Sequence, residues 1–390
     1  MKNSLMIGLL VGCLGVGALT LTTQEKTSAL ERRFLKQNKD LAETSLLDGS
    51  FQSTFNTIMS DQLPLRSTSV TAYYSTKRAL LSPVMSGLIK MKDDLLYLPE
   101  KGLYLKDLLK EDEEKKISTA NRGYNIREAS ERFSDIPFYV YQPIRLEETN
   151  LLSDYGITSY GPEYKHLFVM QLGENVTYKE LEAGSVEDFE NYFYKTDLHW
   201  NANGAYRGYC DIVNMLKEDF EIDEPRTPIE TVTFDTPFYG NLSNEFGQVT
   251  EYDHLSDNIF DLPEYDYYIN GVRSTEGHRD EYAKGFKEDA YSDFDYYFGS
   301  NEFERRYEFH DESKPNVLII CDSFANPIKT YLASHFNTTV YVDYRAKEVP
   351  EDYILDDTIE EYDIDAVIVL MYYHNLYFNG EAFIPLYRQN

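Results

Sequence analysis

A chain of 390 residues with 42% hydrophobic content can bury a substantial core, which excludes global disorder. Its 67 acidic against 37 basic residues give a net charge of −30, which repels nucleic-acid phosphates and anionic lipid headgroups and argues against both as partners of its surface. Aromatics make up 15%, with 34 Tyr and a single Trp, a composition that suits either an ordinary core or a surface meeting polar ligands such as sugars.

Residues 1–23 carry Lys2 and an almost uninterrupted apolar run from Leu5 to Leu21, the pattern of a signal peptide or an uncleaved signal anchor. Leu10-Val11-Gly12-Cys13 is similar to a bacterial lipoprotein cleavage box, but the residues after Cys13 stay apolar. No small-x-small cleavage site precedes Gln24, so a single N-terminal anchor is expected, with the rest of the chain outside the membrane.

Residues 24–118 read as a mixed, mainly helical membrane-proximal segment. Leu46 to Phe51 is a turn, followed by a helix reaching Asp61, and a second helix is expected from Thr71 towards Leu88, where Pro83 ends or kinks it. Lys101 to Leu105 reads as a hairpin strand, and Glu111 to Lys116 as a solvated helix face.

From residue 119 the pattern becomes α/β. A helix is predicted over Ala120–Phe133, strands over Ile136–Tyr141 and His166–Leu172, and a short helix over Val186–Tyr192. Asn201 to Gly204 is a helix-start signal, and apolar residues at Tyr209, Ile212, Val213, Leu216 and Phe220 predict an amphipathic helix over 205–220. Residues 250–312, rich in Asp, Glu and Tyr, read as an insertion or cap. Strand, helix, strand, helical turn and strand follow at Val317–Cys321, Ala325–Ser334, Thr339–Asp343, Ile359–Tyr362 and Ala366–Tyr372. Such alternation implies a parallel sheet with helices on its faces. No carbohydrate-binding module is expected after the last strand.

Two stretches carry chemistry. In Asp197-Leu198-His199-Trp200, a tight loop can point Asp197 and His199 the same way, as the orienting half of a Ser-His-Asp triad requires. In Val317-Leu318-Ile319-Ile320-Cys321-Asp322-Ser323-Phe324, a serine follows a buried strand and opens a helix, at the sheet end where α/β folds place ligands. N–H groups of Ser323 and its neighbours could hold an oxyanion. Asp322-Ser323 also suits a plain helix cap. His310-Asp311-Glu312 reads as a solvated turn rather than a metal site, His374 is a rival histidine with no adjacent acid, and no Gly-rich phosphate loop follows a strand. Cys13 lies in the apolar run, so only Cys210 and Cys321 remain for the globular part, too few for a disulfide framework. One Cys210–Cys321 bridge is conceivable, but two buried free thiols are the expectation.

Together the two stretches resemble the DHHW proteins, relatives of the alginate O-acetylation proteins in the SGNH hydrolase superfamily. Leu46 to Phe51, Asp61 to Arg66, Phe238-Tyr239-Gly240 and Val342-Asp343-Tyr344-Arg345 are also similar to segments of that family. The chain departs from it at Leu198, where the family name carries His, and at Cys321, where Gly is usual. The resemblance implies an SGNH-like three-layer α/β sandwich with Ser323 as nucleophile, His199 as base and Asp197 as orienter, in an order permuted relative to ordinary SGNH hydrolases. Arg345 and Tyr372 are weaker candidates for substrate binding, and Asn375 for an oxyanion hole. No cofactor or metal is implied. The expected activity is extracytoplasmic O-acetylation of a polysaccharide, with a membrane-bound acyltransferase as acetyl donor. An acetylesterase of the same fold and a non-catalytic envelope assembly protein are the alternatives.

Overall fold

Val317–Cys321 and Ala366–Leu370 are buried at every position, a pattern available only to strands inside a sheet covered on both faces. The computed structural model describes residues 2–28, 33–66, 89–92, 95–246, 251–274, 293–299, 302–346, 349–350 and 353–378, with scattered residues between 68 and 76. Strands are numbered β1 (Ile89–Lys92), β2 (Leu95–Leu98), β3 (Leu103–Lys106), β4 (Phe138–Pro143), β5 (Val176–Leu181), β6 (Glu230–Phe238), β7 (Asp253–Ile259), β8 (Asp266–Ile269), β9 (Val272–Ser274), β10 (Glu304–Glu308), β11 (Val317–Cys321), β12 (Thr338–Val342) and β13 (Ala366–Leu370). The α-helices are α1 (Lys2–Thr22), α2 (Ser50–Asp61), α3 (Glu113–Arg132), α4 (Gly161–Leu172), α5 (Val186–Tyr192), α6 (Ala202–Leu216), α7 (Asn241–Phe246), α8 (Phe294–Phe298), α9 (Lys329–Ala333) and α10 (Leu355–Glu361).

The central sheet has eight strands in the order β9-β8-β10-β12-β11-β13-β4-β5. The five from β12 to β5 are parallel, and β10, β8 and β9 continue the sheet antiparallel at one edge. Alternate residues of each strand face opposite layers. Val317, Ile319 and Cys321 join Tyr139, Tyr141, Ile368 and the α6 residues Tyr209, Ile212 and Val213 on one face. Leu318 and Ile320 join Val140, Val367, Ile126 of α3, Phe168 of α4 and Ile359 of α10 on the other. This is a mixed α/β fold with a mostly parallel central sheet between helical layers, as the sequence predicts. Tyr139, Tyr141, Tyr209, Tyr331 and Tyr341 are among its largest fully buried side chains, so much of the tyrosine content is ordinary core.

Three expectations change. Residues 166–172, read as a strand, lie in α4. Pro162 opens that helix, and Tyr164, Phe168 and Leu172 recur every four residues on its buried face, a period that outweighs the short apolar run. The strand beside β4 is instead β5, whose Lys179 and Glu180 hid it. Residues 250–312 are more than a cap, since β8, β9 and β10 belong to the central sheet. The helix expected over Ala325–Ser334 is a 3-10 turn at Ser323–Ala325 followed by the short α9.

Other expectations meet the structure directly. α2 spans the helix expected before Asp61, and the charge run at Glu111–Lys116 leads into α3, where the Asp112 side chain caps Lys115 N–H. The hairpin near residue 102 is β2–β3, turned by Gly102 at φ 64°. The helix expected from Thr71 to Leu88 lies for the most part outside the described residues. Residues 2–22 form α1, but among the described residues no helix is long and apolar enough to cross a membrane.

Layer spacing on the α3 side depends on Gly123: a Cβ there would lie 2.4 Å from the Phe168 carbonyl oxygen and 2.9 Å from Gln171 Cβ. Both obstacles belong to α4, and one is backbone, so the helices would have to separate. Gly123→Ala is therefore expected to destabilise the fold by about 1–3 kcal/mol, read as a lowered midpoint in thermal unfolding.

Candidate active site

The segment from Phe193 to Trp200 is a closed loop. Phe193 and Trp200 bridge as an antiparallel pair, Tyr194 N–H donates to the His199 carbonyl at 3.1 Å, and Asn201 N–H donates to the Tyr192 carbonyl at 2.9 Å. Inside it, Asp197 Oδ1 accepts from the His199 backbone N–H at 3.1 Å, an Asx turn, and this brings the His199 ring round so that Nδ1 lies 2.6 Å from the same oxygen. The two-residue spacing thus puts carboxylate and imidazole on one side. The other imidazole nitrogen, Nε2, lies 2.8 Å from Ser323 Oγ. Asp197 is fully buried, His199 is 2% exposed and Ser323 is 8% exposed.

The loop is clamped from several sides. Asp253 accepts from Thr196 N–H at 2.8 Å, from the Thr196 hydroxyl at 2.6 Å and from Lys195 N–H at 3.2 Å. Asn241 N–H donates to Asp197 Oδ2 at 2.7 Å, and Gly240 N–H donates to Thr196 Oγ1 at 3.0 Å. Phe294 of α8 stacks flat on the His199 ring, with centroids 3.7 Å apart and planes 5° from parallel. Trp200, 1% exposed, abuts Gly208 of α6, where a Cβ would lie 2.5 Å from the indole. Its ring meets Phe324 edge-on at 5.5 Å, joining the histidine loop to the serine turn.

Sequence reasoning missed Arg145. This side chain, 2% exposed, follows β4 and donates from Nη1 to the Leu198 carbonyl at 2.6 Å. Glu147 lies beside its guanidinium at 3.4 Å, and Phe189 and Phe193 lie against it at 5.1 and 5.7 Å from their centroids. An arginine two residues after a buried strand was the available signal, but nothing local ties it to residue 198.

On the serine side, Asp322 caps the turn. Its Oδ1 accepts from Phe324 N–H at 2.9 Å, and its Oδ2 accepts from Tyr372 N–H at 3.0 Å and from Asn375 Nδ2 at 2.9 Å. Burial pushes its carboxyl upward, opposed by the Arg345 charge and the Asn375 hydrogen bond. Of the proposed N–H donors on this turn, Phe324 N–H is taken by Asp322. The Asn375 amide, considered for an oxyanion hole, also goes to Asp322 and so buttresses the turn. Arg345 forks onto Asp343 through Nε at 2.9 Å and Nη2 at 2.6 Å. Tyr372 stacks on Phe324 at 5.4 Å.

Cys321, where Gly is usual in the family it resembles, packs into the core beneath the turn. Burial pushes its thiol up to about 12, and Cys321 and Cys210 are both free. His374 does have an acidic neighbour, Asp107 at 3.8 Å, supplied by a segment distant in sequence. His310, Asp266 and Glu308 come together at the sheet edge, but Arg273 and Arg306 already pair with the two carboxylates.

No protein-family model matches the sequence, and no curated protein matches it. Solved structures do share its fold. Bacillus cereus PatB1 with a sulfonyl adduct aligns with a TM-score of 0.61 at 18% identity, over 77% of this chain and 99% of that one. A second structure of Bacillus cereus PatB1 gives 0.56 at 18% identity, over 76% and 98%. A DHHW family protein from Eubacterium siraeum gives 0.57 at 17% identity, over 75% and 95%. The chain thus has the fold of a DHHW family protein, and the resemblance read in the sequence holds at that level.

Two outcomes check this geometry. A Cβ at Gly240 would lie 2.3 Å from the Thr196 carbonyl oxygen and 2.4 Å from Asp197 Cβ. Gly240→Ala should therefore displace Asp197 and lower turnover by about 10²-fold, measured with any ester the protein processes. Cys321 should resist alkylation at pH 8 in the folded protein and react only in denaturant, read by mass spectrometry.

Proposed function

We propose that the chain is an extracytoplasmic, SGNH-type serine O-acyltransferase that acetylates a polysaccharide. The observation that carries this reading is the continuous line Asp197 Oδ1–His199 Nδ1, 2.6 Å, and His199 Nε2–Ser323 Oγ, 2.8 Å, at the carboxyl end of a parallel strand. In it, Ser323 Oγ attacks the acetyl carbonyl carbon while its proton passes to His199 Nε2. The donor's leaving group departs with that proton, leaving an acetyl-serine. A sugar hydroxyl then gives its proton to His199 and attacks, and Ser323 recovers its proton as the ester forms on the sugar. Asp197 fixes the imidazole so that Nε2 faces the serine, and its charge supports the imidazolium formed in each half.

A polysaccharide acceptor and a membrane-bound acyltransferase as acetyl donor follow from the family resemblance, and attachment to the membrane through the N-terminal segment rests on the apolar run from Leu5 to Leu21. Residues 1–92 hold 11 of the 37 basic residues and only 6 of the 67 acidic ones, which favours that end as the one next to the membrane. The sulfonyl adduct of Bacillus cereus PatB1 supplies a probe, because sulfonyl electrophiles react with activated hydroxyls.

The test is acetate release from an activated acetyl ester by the full chain, with and without oligosaccharides, beside Ser323→Ala and His199→Ala. The serine variant should be inactive and unlabelled by a sulfonyl fluoride, and the histidine variant should lose about 10²–10⁴-fold. Acetylated oligosaccharide would mark a transferase, whereas acetate alone with every acceptor would mark an esterase. Wild-type activity in both variants would retire the triad.

A further inference from the structure

Three parallel strands end side by side at Ser323, and their register decides what flanks it. Ile320 pairs with Val342, and Cys321 pairs with Leu370. Counting on by residue from those pairs, Ser323 stands level with Arg345 beyond β12 and with Tyr372 beyond β13. A serine acyl transfer needs more than one donor where the carbonyl oxygen becomes negative. On the serine turn, Phe324 N–H and Ala325 N–H are already taken by Asp322. Among the described residues, the Ser323 N–H donates to no partner, so it can serve as one donor.

Arg345 is poorly placed to be the other, because two of its nitrogens fork onto Asp343. Tyr372 is better suited. Its backbone is tied to Asp322, and its ring stacks with those of Phe324 and His374. Its hydroxyl has no hydrogen-bond partner among the described residues. Burial, reinforced by the Asp322 and Asp107 charges, raises its pKa above the ordinary phenol value, so it remains a protonated donor at neutral pH. The half-buried Tyr372 thus carries an unpaired hydroxyl on a ring stacked against Phe324, the residue after the nucleophile, and such a hydroxyl is available to a ligand.

We propose that the Tyr372 hydroxyl donates to the acyl carbonyl oxygen as the second member of the oxyanion hole, alongside the Ser323 N–H. The inference rests on the acyl-serine reading above. When Ser323 Oγ bonds to the carbonyl carbon, the π pair moves onto oxygen and is met by these two donors, and it returns when the leaving group departs.

The test is Tyr372→Phe in the full chain, which keeps the stacked ring and removes only the hydroxyl. Turnover of an activated acetyl ester should fall about 10²–10³-fold with KM little changed and the unfolding midpoint kept. Wild-type kcat, or a raised KM at unchanged kcat, would overturn the assignment. Should the variant unfold, a fluorinated tyrosine at 372 provides the second measurement: kcat should follow the phenol acidity, and an unresponsive kcat would also overturn it. If Ser323→Ala and His199→Ala are inactive while Tyr372→Phe is normal, only this inference fails; if those two variants stay active, the underlying reading fails.

Discussion

The arrangement depends on one buried carboxylate. Asp197 is fully excluded from water, and an ionised carboxylate there is stable only if donors replace its hydration. It has them in the His199 ring and backbone N–H on one oxygen and Asn241 N–H on the other. Removing a partner from such a buried charge costs about 3–5 kcal/mol, so the loop cannot relax without losing stability. Asp253 beneath Thr196, the missing Cβ at Gly240, and Arg145 on the Leu198 carbonyl all hold that loop in the shape the carboxylate needs.

The serine side follows a matching logic built from the sheet. β11 is buried on both faces and carries the chain straight to the carboxyl end of the sheet, where Asp322 ends the strand and caps the next turn. The same Asp322 draws in Tyr372 and Asn375 from the end of β13, so two adjacent strand ends are locked at the level of the nucleophile. Trp200 and Phe324 then join this half to the histidine loop through ring contacts, and α8, from the acidic region, closes over the imidazole with Phe294. The insertion therefore both extends the sheet and covers the site.

Local signals made much of this legible. Asp197, His199 and Ser323 sit in short motifs whose chemistry is local, and the apolar runs at 317–321 and 366–370 announce interior strands. What stayed hidden depends on distant partners. Arg145 gains meaning only through a carbonyl 53 residues away, and Asp253 through Thr196, 57 residues away. The His374–Asp107 pair likewise joins distant segments. The strand misread at 166–172 shows the opposite limit: seven mostly apolar residues fit either period, and only the longer window from Gly161 reveals the four-residue repeat.

The central claim is that Ser323 carries the acyl group. The most direct measurement is an acid quench of the full chain during turnover of an activated acetyl ester, followed by peptide mapping. Acetyl found on Ser323, and absent from that peptide in His199→Ala, is the result this account predicts. Acetyl on another residue, or turnover with Ser323 never modified, would contradict it.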